Sequence, residues 1–436
     1  MTIALTRVSW FRLDRHDVRS TLPAQIQAIM QNGLLERVFR EALQPEFLFP
    51  SIADVEPWAG GLGDTKVMTR KGLIAPTTTP VTGSDAPVST YNVEQWSVTM
   101  DQYGTSIDTN MLQSRMALAS KYLADVKQLG IQAGQSLNRI ARGKLFGAYI
   151  GGRTWATATS TSSTSLVVDN AGGFSKVLVN GVPTAVSAST PLSVTVNGVA
   201  NTVTGVNTGT NTLTLGTAIS ASVGWPVVAS NAPVTIRPSG TNTAYDLTGS
   251  STVTFAQFRA AVARLRKMNV PTLPGGYYAA HIDPDTETQL FADSDFKLAL
   301  QGRIDSPVYR DLSIGRFAGI DWIRNNEMPT RTNGGSGGNL TVHQPIVMGG
   351  SAIAAAPFED LAGFLMGTGV EDVPEIRMIN VAPGADVALI VRPPQDRFQQ
   401  VVATTWGWVG DYGIPSDSLA NGDPAIFKRA VVIEHT

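Results

Sequence analysis

The chain is 436 residues long, 43% hydrophobic and 16% charged, with a formal net charge of −2. That length exceeds one ordinary core, so two or three domains are expected, and the near-neutral balance argues against a dedicated nucleic-acid binder, whose affinity grows with each phosphate neutralised. The absence of cysteine removes disulfides, thiolate metal sites and thiol catalysis together.

The first residues, Met1 to His16, hold no long apolar run ahead of their charges, so no cleaved secretory signal is expected. No stretch approaches about eighteen apolar residues, so no membrane-spanning helix is expected. The chain reads as soluble and made in a cytoplasm.

Residues 1–58 read as an arm with one helix. It begins at Leu22-Pro23 and carries Ile26, Ile29, Met30, Leu34, Leu35, Val38, Phe39 and Leu43 at helical spacing. Gly33 interrupts the pattern and allows two shorter helices. Pro45 and Pro50 then force extension around Phe47, Leu48 and Phe49. Residues 59–104 read as a long hairpin, out along Thr65–Lys71, around a proline- and threonine-rich tip, and back along Tyr91–Tyr103. Alternation puts Trp96, Val98 and Met100 on one face and Val93 on the other. Such an arm would bury little within one subunit, and Trp96, Val98, Met100 and Phe47-Leu48-Phe49 are the expected anchors on a neighbour.

A helix of about forty residues is predicted over 111–149 from Leu112, Met116, Ala119, Leu123, Val126, Gly130, Ala133, Leu137 and Ile140. Its charges are lopsided, with Arg115, Lys121, Lys127, Arg139, Arg142 and Lys144 against Asp125 alone. That row fits a solvated face. It also fits sparse, sequence-blind phosphate contacts with packed DNA.

Residues 154–250 differ from their surroundings: only Asp169, Lys176, Arg237 and Asp246 are charged, and about a third are Ser or Thr. Asn180-Gly181 and Asn197-Gly198, each between alternating apolar residues, signal tight hairpins. With strands near Thr212–Leu215 and Val227–Val234, five or more strands forming a small barrel or sandwich are expected. Mixed α/β structure follows: a helix from Phe255 to Met268, a buried strand Tyr277–Ile282, and a helix opened by Asp283 as N-cap and Pro284. Further strands are predicted at 317–325, His343–Gly350, Glu375–Asn380, Ala388–Arg392, Val401–Val409 and Ile426–Glu434.

Catalytic equipment is not visible. His16, His281, His343 and His435 are scattered in sequence without metal-type spacing. His281 with Asp283, Asp285 and Glu287 could suggest a metal cluster, but acids in a first helical turn equally complement the helix dipole. No phosphate loop, nucleophile elbow or paired carboxylates appear, so neither enzyme activity nor a cofactor is expected.

In this order the parts resemble the major capsid proteins of tailed bacteriophages, the Hong Kong 97-type fold. The likeness is carried by 63–72 (Gly-Asp-Thr-Lys-Val-Met-Thr-Arg-Lys-Gly), by Asn110–Gly147, by His281–Glu287, by Ile314–Ile323, and by the end from Arg397 through Trp406 to Glu434. The resemblance implies an α+β fold with an N-terminal arm (1–58), an E-loop hairpin (59–104), a spine helix (105–153), P-domain helix and A domain (251–370) and closing strands (371–436), interrupted by an inserted β domain (154–250). It implies pentamers and hexamers in an icosahedral shell around double-stranded DNA, assembled in a bacterial cytoplasm with separate scaffolding, portal and decoration proteins, and no membrane. Lys66 and Lys71 match no crosslinking motif. An encapsulin-like compartment shares this implied fold, and a β-rich tail adhesin is the more distant alternative.

Overall fold

A computed structural model describes residues 33–46, 48–58, 63–71, 93–110, 118–179, 182–301, 315–335, 338–359, 375–381, 386–394, 396–398, 400–417 and 424–436, with Ile26 and four positions of the hairpin tip. These fall into two compact units. The first draws on Met1–Glu46, Gln102–Gly134 and Asp360–Val409, the second on Phe47–Asp101, Gln135–Glu359 and Gly410–Thr436. Among the described residues, no helix is long and apolar enough to cross a membrane.

In the first unit, Gly33 adopts φ +65° and starts the helix Leu34–Leu43, as a residue without Cβ can do at little cost. Leu35, Phe39 and Leu43 of this helix are buried. The long helix runs Leu118–Tyr149, 32 residues and about 48 Å at 1.5 Å per residue; residues 111–117 lie outside the described set. Gly130 and Gly134 let the two helices approach closely. A Cβ on Gly130 would lie 2.8 Å from the Phe39 carbonyl, and one on Gly134 would lie 2.8 Å from that of Leu43. The strands Glu375–Asn380, Asp386–Arg392 and Val401–Gly413 pair antiparallel in that order. Trp406 donates from Nε1 to Gln132 Oε1 at 2.6 Å, and Thr404 Oγ1 donates to the Tyr122 hydroxyl at 3.2 Å, so sheet and helix are tied by polar contacts.

In the second unit, Arg153–Trp155 (β1), Ser160–Val167 (β2), Leu192–Val196 (β3), Val199–Asn207 (β4), Thr212–Ala221 (β5) and Pro226–Ala229 (β6) form a sheet in the order β1-β6-β3-β4-β5-β2. A bridge between Ala156 and Val168 joins its two ends, so the sheet closes into a small barrel. Val196 pairs with Val199 around Asn197 (φ 48°) and Gly198 (φ 82°), the two consecutive positive φ angles of a two-residue hairpin. The other Asn-Gly pair lies outside the described residues, but Val179 and Val182 pair across it. Leu166, Phe174, Val194, Val196, Val203, Leu213 and Val227 fill a core of the barrel's own. With closed edges and a private core, residues 151–237 are expected to fold when excised. Dispersed amide resonances would show this, and a collapsed random-coil spectrum would exclude it.

A second sheet comprises Thr235–Ile236 (β7), Tyr278–Ile282 (β8), Arg316–Phe317 (β9), Ile320–Arg324 (β10), Ile346–Met348 (β11) and Ala430–Ile433 (β12), ordered β7-β12-β11-β8-β10-β9. The helix Phe255–Lys267 covers it, opened by a reciprocal Thr254–Gln257 capping box. Phe255, Phe296, Phe317 and Trp322 stack at its centre. Two sequence expectations change here. The strand expected over His343–Gly350 is broken at Gln344-Pro345 into Thr341–His343 and β11, since proline has no N–H to donate. The run expected over Val227–Val234 stops at Ala229, and the chain reaches a different sheet through β7.

Candidate functional site

The hairpin base pairs Thr65–Lys71 with Val93–Thr99, in register from Thr65 opposite Thr99 to Lys71 opposite Val93. The return strand ends at Thr99, and Asp101–Asn110 is a separate strand. Alternation sends Met68, Trp96 and Val98 inward, 1%, 7% and 2% exposed, against Trp58, Ala354 and Ala356, with Met100 partly buried beside them. At the described base of the arm, the expectation that it buries little within one subunit is therefore overturned: small alanines leave room for indole, and the apolar face there is satisfied in its own chain. Arg70 lies over the Trp96 ring at 5.7 Å, and Lys66 Nζ donates to the carbonyls of Glu56 and Pro57. The outward face carries Val67 and Val93, 56% and 39% exposed. A cleft of about 580 Å³ lies beside it, lined by Val67, Ser97, Lys144, Lys176, Val182 and Asp411.

Phe49 is also enclosed in its own chain. Its ring stacks on His281 at 4.5 Å, and its N–H donates to Asn138 Oδ1 at 3.0 Å. Leu48 is half-buried, and Phe47 lies outside the described residues.

Along the long helix, Arg115 lies outside the described residues, Lys121 is half-buried and Lys127 is exposed. Arg139 is paired with Glu327 at 2.7 Å, Arg142 donates to the Glu327 carbonyl, and Lys144 Nζ meets the buried Asp411 carboxylate at 2.6 Å. The Arg139 contact holds the Glu327 carboxyl below its ordinary range. The expected basic row is thus neutralised over its carboxyl-terminal half.

The histidines that look scattered in sequence are brought together in space. His343 Nδ1 lies 2.5 Å from Asp283 Oδ2, and its Nε2 lies 3.7 Å from Asp285 Oδ2. The His435 ring stacks on His343 at 5.4 Å and 21°. Thr286 Oγ1 donates its one proton to Asp283 Oδ1, so it accepts from His435 Nε2 at 2.7 Å, which fixes that ring as the Nε2–H tautomer. His281, expected beside these acids, points elsewhere, onto Phe49 and Asn325. Asp283 heads its helix as expected, yet its carboxylate serves His343 and Thr286 instead of capping backbone N–H groups. Ligands that share a cation with roughly 2.1 Å bonds sit about 3 Å or more apart. At 2.5 Å, Asp283 and His343 are too close for that and form an ion pair, with the Asp285 carboxylate 3.7 Å from the ring's other nitrogen. The Asp283 contact raises His343 above its ordinary value, against burial. Burial alone would raise Asp283, but His343 and Thr286 outweigh it and hold it low. Burial pushes His435 down to about 4 and His281 down to about 3. Sequence spacing cannot reveal this cluster, because its members sit on three separated segments.

No protein-family model matches the chain, and no curated protein matches it in sequence. Solved structures do. The capsid of Ralstonia phage GP4 superposes with a TM-score of 0.50 at 11% identity, covering 88% of this chain and 87% of that one. The capsid of cyanophage Pam1 gives 0.47 at 12% identity over 90% and 92%, and that of cyanophage P-SCSP1u gives 0.46 at 11% over 89% and 87%. The chain is α+β and shares the GP4 capsid fold.

Proposed function

We propose that this chain is the major capsid protein of a tailed bacteriophage, assembling into pentamers and hexamers that close an icosahedral head around double-stranded DNA. The observation that carries this reading is the GP4 capsid likeness across 88% of the chain, at an identity too low to reflect anything but fold. The long helix Leu118–Tyr149 is the spine, 59–104 the E-loop, 1–58 the arm, 154–250 an inserted domain, and 251–370 with 371–436 supply the A and P domains. Shell formation needs no reacting groups. Closed symmetry multiplies modest contacts, since removing one subunit breaks several at once. With Trp96, Val98 and Phe49 committed inside the subunit, neighbours meet the outward face of the hairpin, at Val67 and Val93. Any contact with packaged DNA falls to cations left open, such as Lys127.

Expressed alone or with a co-produced scaffold, the protein is expected to yield rings or closed particles in negative-stain micrographs. A 46.2 kDa species that never associates under either condition would defeat the proposal. Nuclease-resistant DNA inside particles separates a phage head from an encapsulin-like compartment.

A further inference from the structure

The carboxyl-terminal residues are held by an unusual concentration of titratable groups. His343 and His435 exchange backbone hydrogen bonds in both directions, at 2.8 and 3.2 Å, directly beneath their stacked rings. The Thr436 N–H donates to the Ser251 carbonyl, and Gln289 Nε2 donates to the Thr436 carbonyl at 2.8 Å. His435 is 0% exposed, and its Nε2–H is used by Thr286. A second proton can go only on Nδ1, whose contact with the Thr436 main-chain oxygen is 3.5 Å, too long for a good hydrogen bond. The charged groups facing the ring are His343 from the Thr341–His343 strand and Asp283 and Asp285 from the helix Pro284–Ala292. On the chain's own segment, Glu434 is taken up by Arg237 and Arg331. The two stacked rings therefore accommodate one charge well, on His343 between its carboxylates, and a second badly.

We propose that His343 and His435 form a single-proton latch that holds Glu434–Thr436 against the helix Pro284–Ala292 at neutral pH and releases them in acid.

The sign follows from the groups involved. The neutral form of His435 belongs to the closed state, so closure is complete above the ordinary histidine value of 6.5 and weakens as pH falls toward about 4. His343 acts oppositely, since its charged form belongs to the closed state and its contribution is lost as pH rises. The His435 contribution alone gives about twentyfold more opening at pH 5 than at pH 7, and His343 acts against it.

Hydrogen–deuterium exchange of the full chain, corrected for intrinsic rates, tests the latch. Exchange in a peptide covering 430–436 is expected to rise from pH 7 to pH 5, by up to about twentyfold, while a barrel peptide covering 199–221 stays constant. His435→Gln abolishes the rise. Asp285→Asn, at an exposed side chain that leaves folding intact, enlarges the rise by removing a charge that supports both imidazoliums in the closed state. A flat wild-type profile overturns the proposal, as does an equal rise in the barrel peptide, an unchanged rise in His435→Gln, or no enlargement in Asp285→Asn.

Discussion

Glu434→Ala is expected to lower the stability of the second unit by about 3–5 kcal/mol, the cost of leaving buried charge without its partner. Glu434 is 0% exposed and receives Arg237 at 2.6 Å, Arg331 at 2.8 Å and Gln344 at 3.0 Å. Arg237 is itself 3% exposed in its side chain, so its guanidinium has no water to turn to once the carboxylate is gone. Burial alone would raise the Glu434 carboxyl, but the two arginines outweigh it and hold it below its ordinary range. Its contribution is thus complete above the ordinary glutamate value and is lost as pH falls through the depressed one. Urea unfolding at pH 7 measures the effect. A loss below about 1 kcal/mol would mean that the arginines find other partners or water. Glu434→Gln keeps the shape and two acceptor contacts, and should fall between the alanine variant and wild type.

Outside the barrel, the same unit should be acid-labile for a second reason. His281 and His435 are buried neutral, with values pushed to about 3 and about 4, so folding excludes protons that the unfolded chain accepts near 6.5. Stability then declines below about pH 6.5, before Glu434 titrates. His281→Gln should flatten the upper part of that decline, and Glu434→Gln its lower part.

What the sequence showed and what it hid divide by distance along the chain. The Asn197-Gly198 hairpin and the apolar stripe of the long helix are local patterns, each fixed by hydrogen bonds or spacing within a few residues. Closure of the barrel required a bridge between Ala156 and Val168, which carry no signature beyond being apolar. Parallel pairing of Tyr278 with Ile320, and the Arg237–Glu434 ion pair, join segments that composition cannot connect. Alternation correctly placed Trp96 and Val98 on one face, but not what covers it. Their partners Ala354 and Ala356 sit in an alanine run that reads as nothing in particular, so alternation alone leaves the face looking open. Histidine spacing is equally silent: His343 and His435 meet through an isolated bridge between two chain segments, a fact of topology.

That inward–outward division of the hairpin separates folding from assembly in one pair of substitutions. Trp96→Ala removes a side chain 7% exposed, packed on Trp58 and the alanine strand, and leaves a cavity there. It is expected to destabilise the isolated subunit by about 3–5 kcal/mol. Gly413 lies against the same indole, and a Cβ there would come within 3.1 Å of it, so the surroundings are already close-packed. Val67→Asp changes a side chain 56% exposed on the opposite face and should alter subunit stability by about 0.5 kcal/mol or less. If neighbours meet this face, the buried charge opposes association, and sedimentation should show intact subunits with few or no particles. Particles from Val67→Asp at the wild-type yield would remove the hairpin's outer face from the contact surface. Equal loss of subunit stability in both variants would show that Val67 is no less enclosed than Trp96.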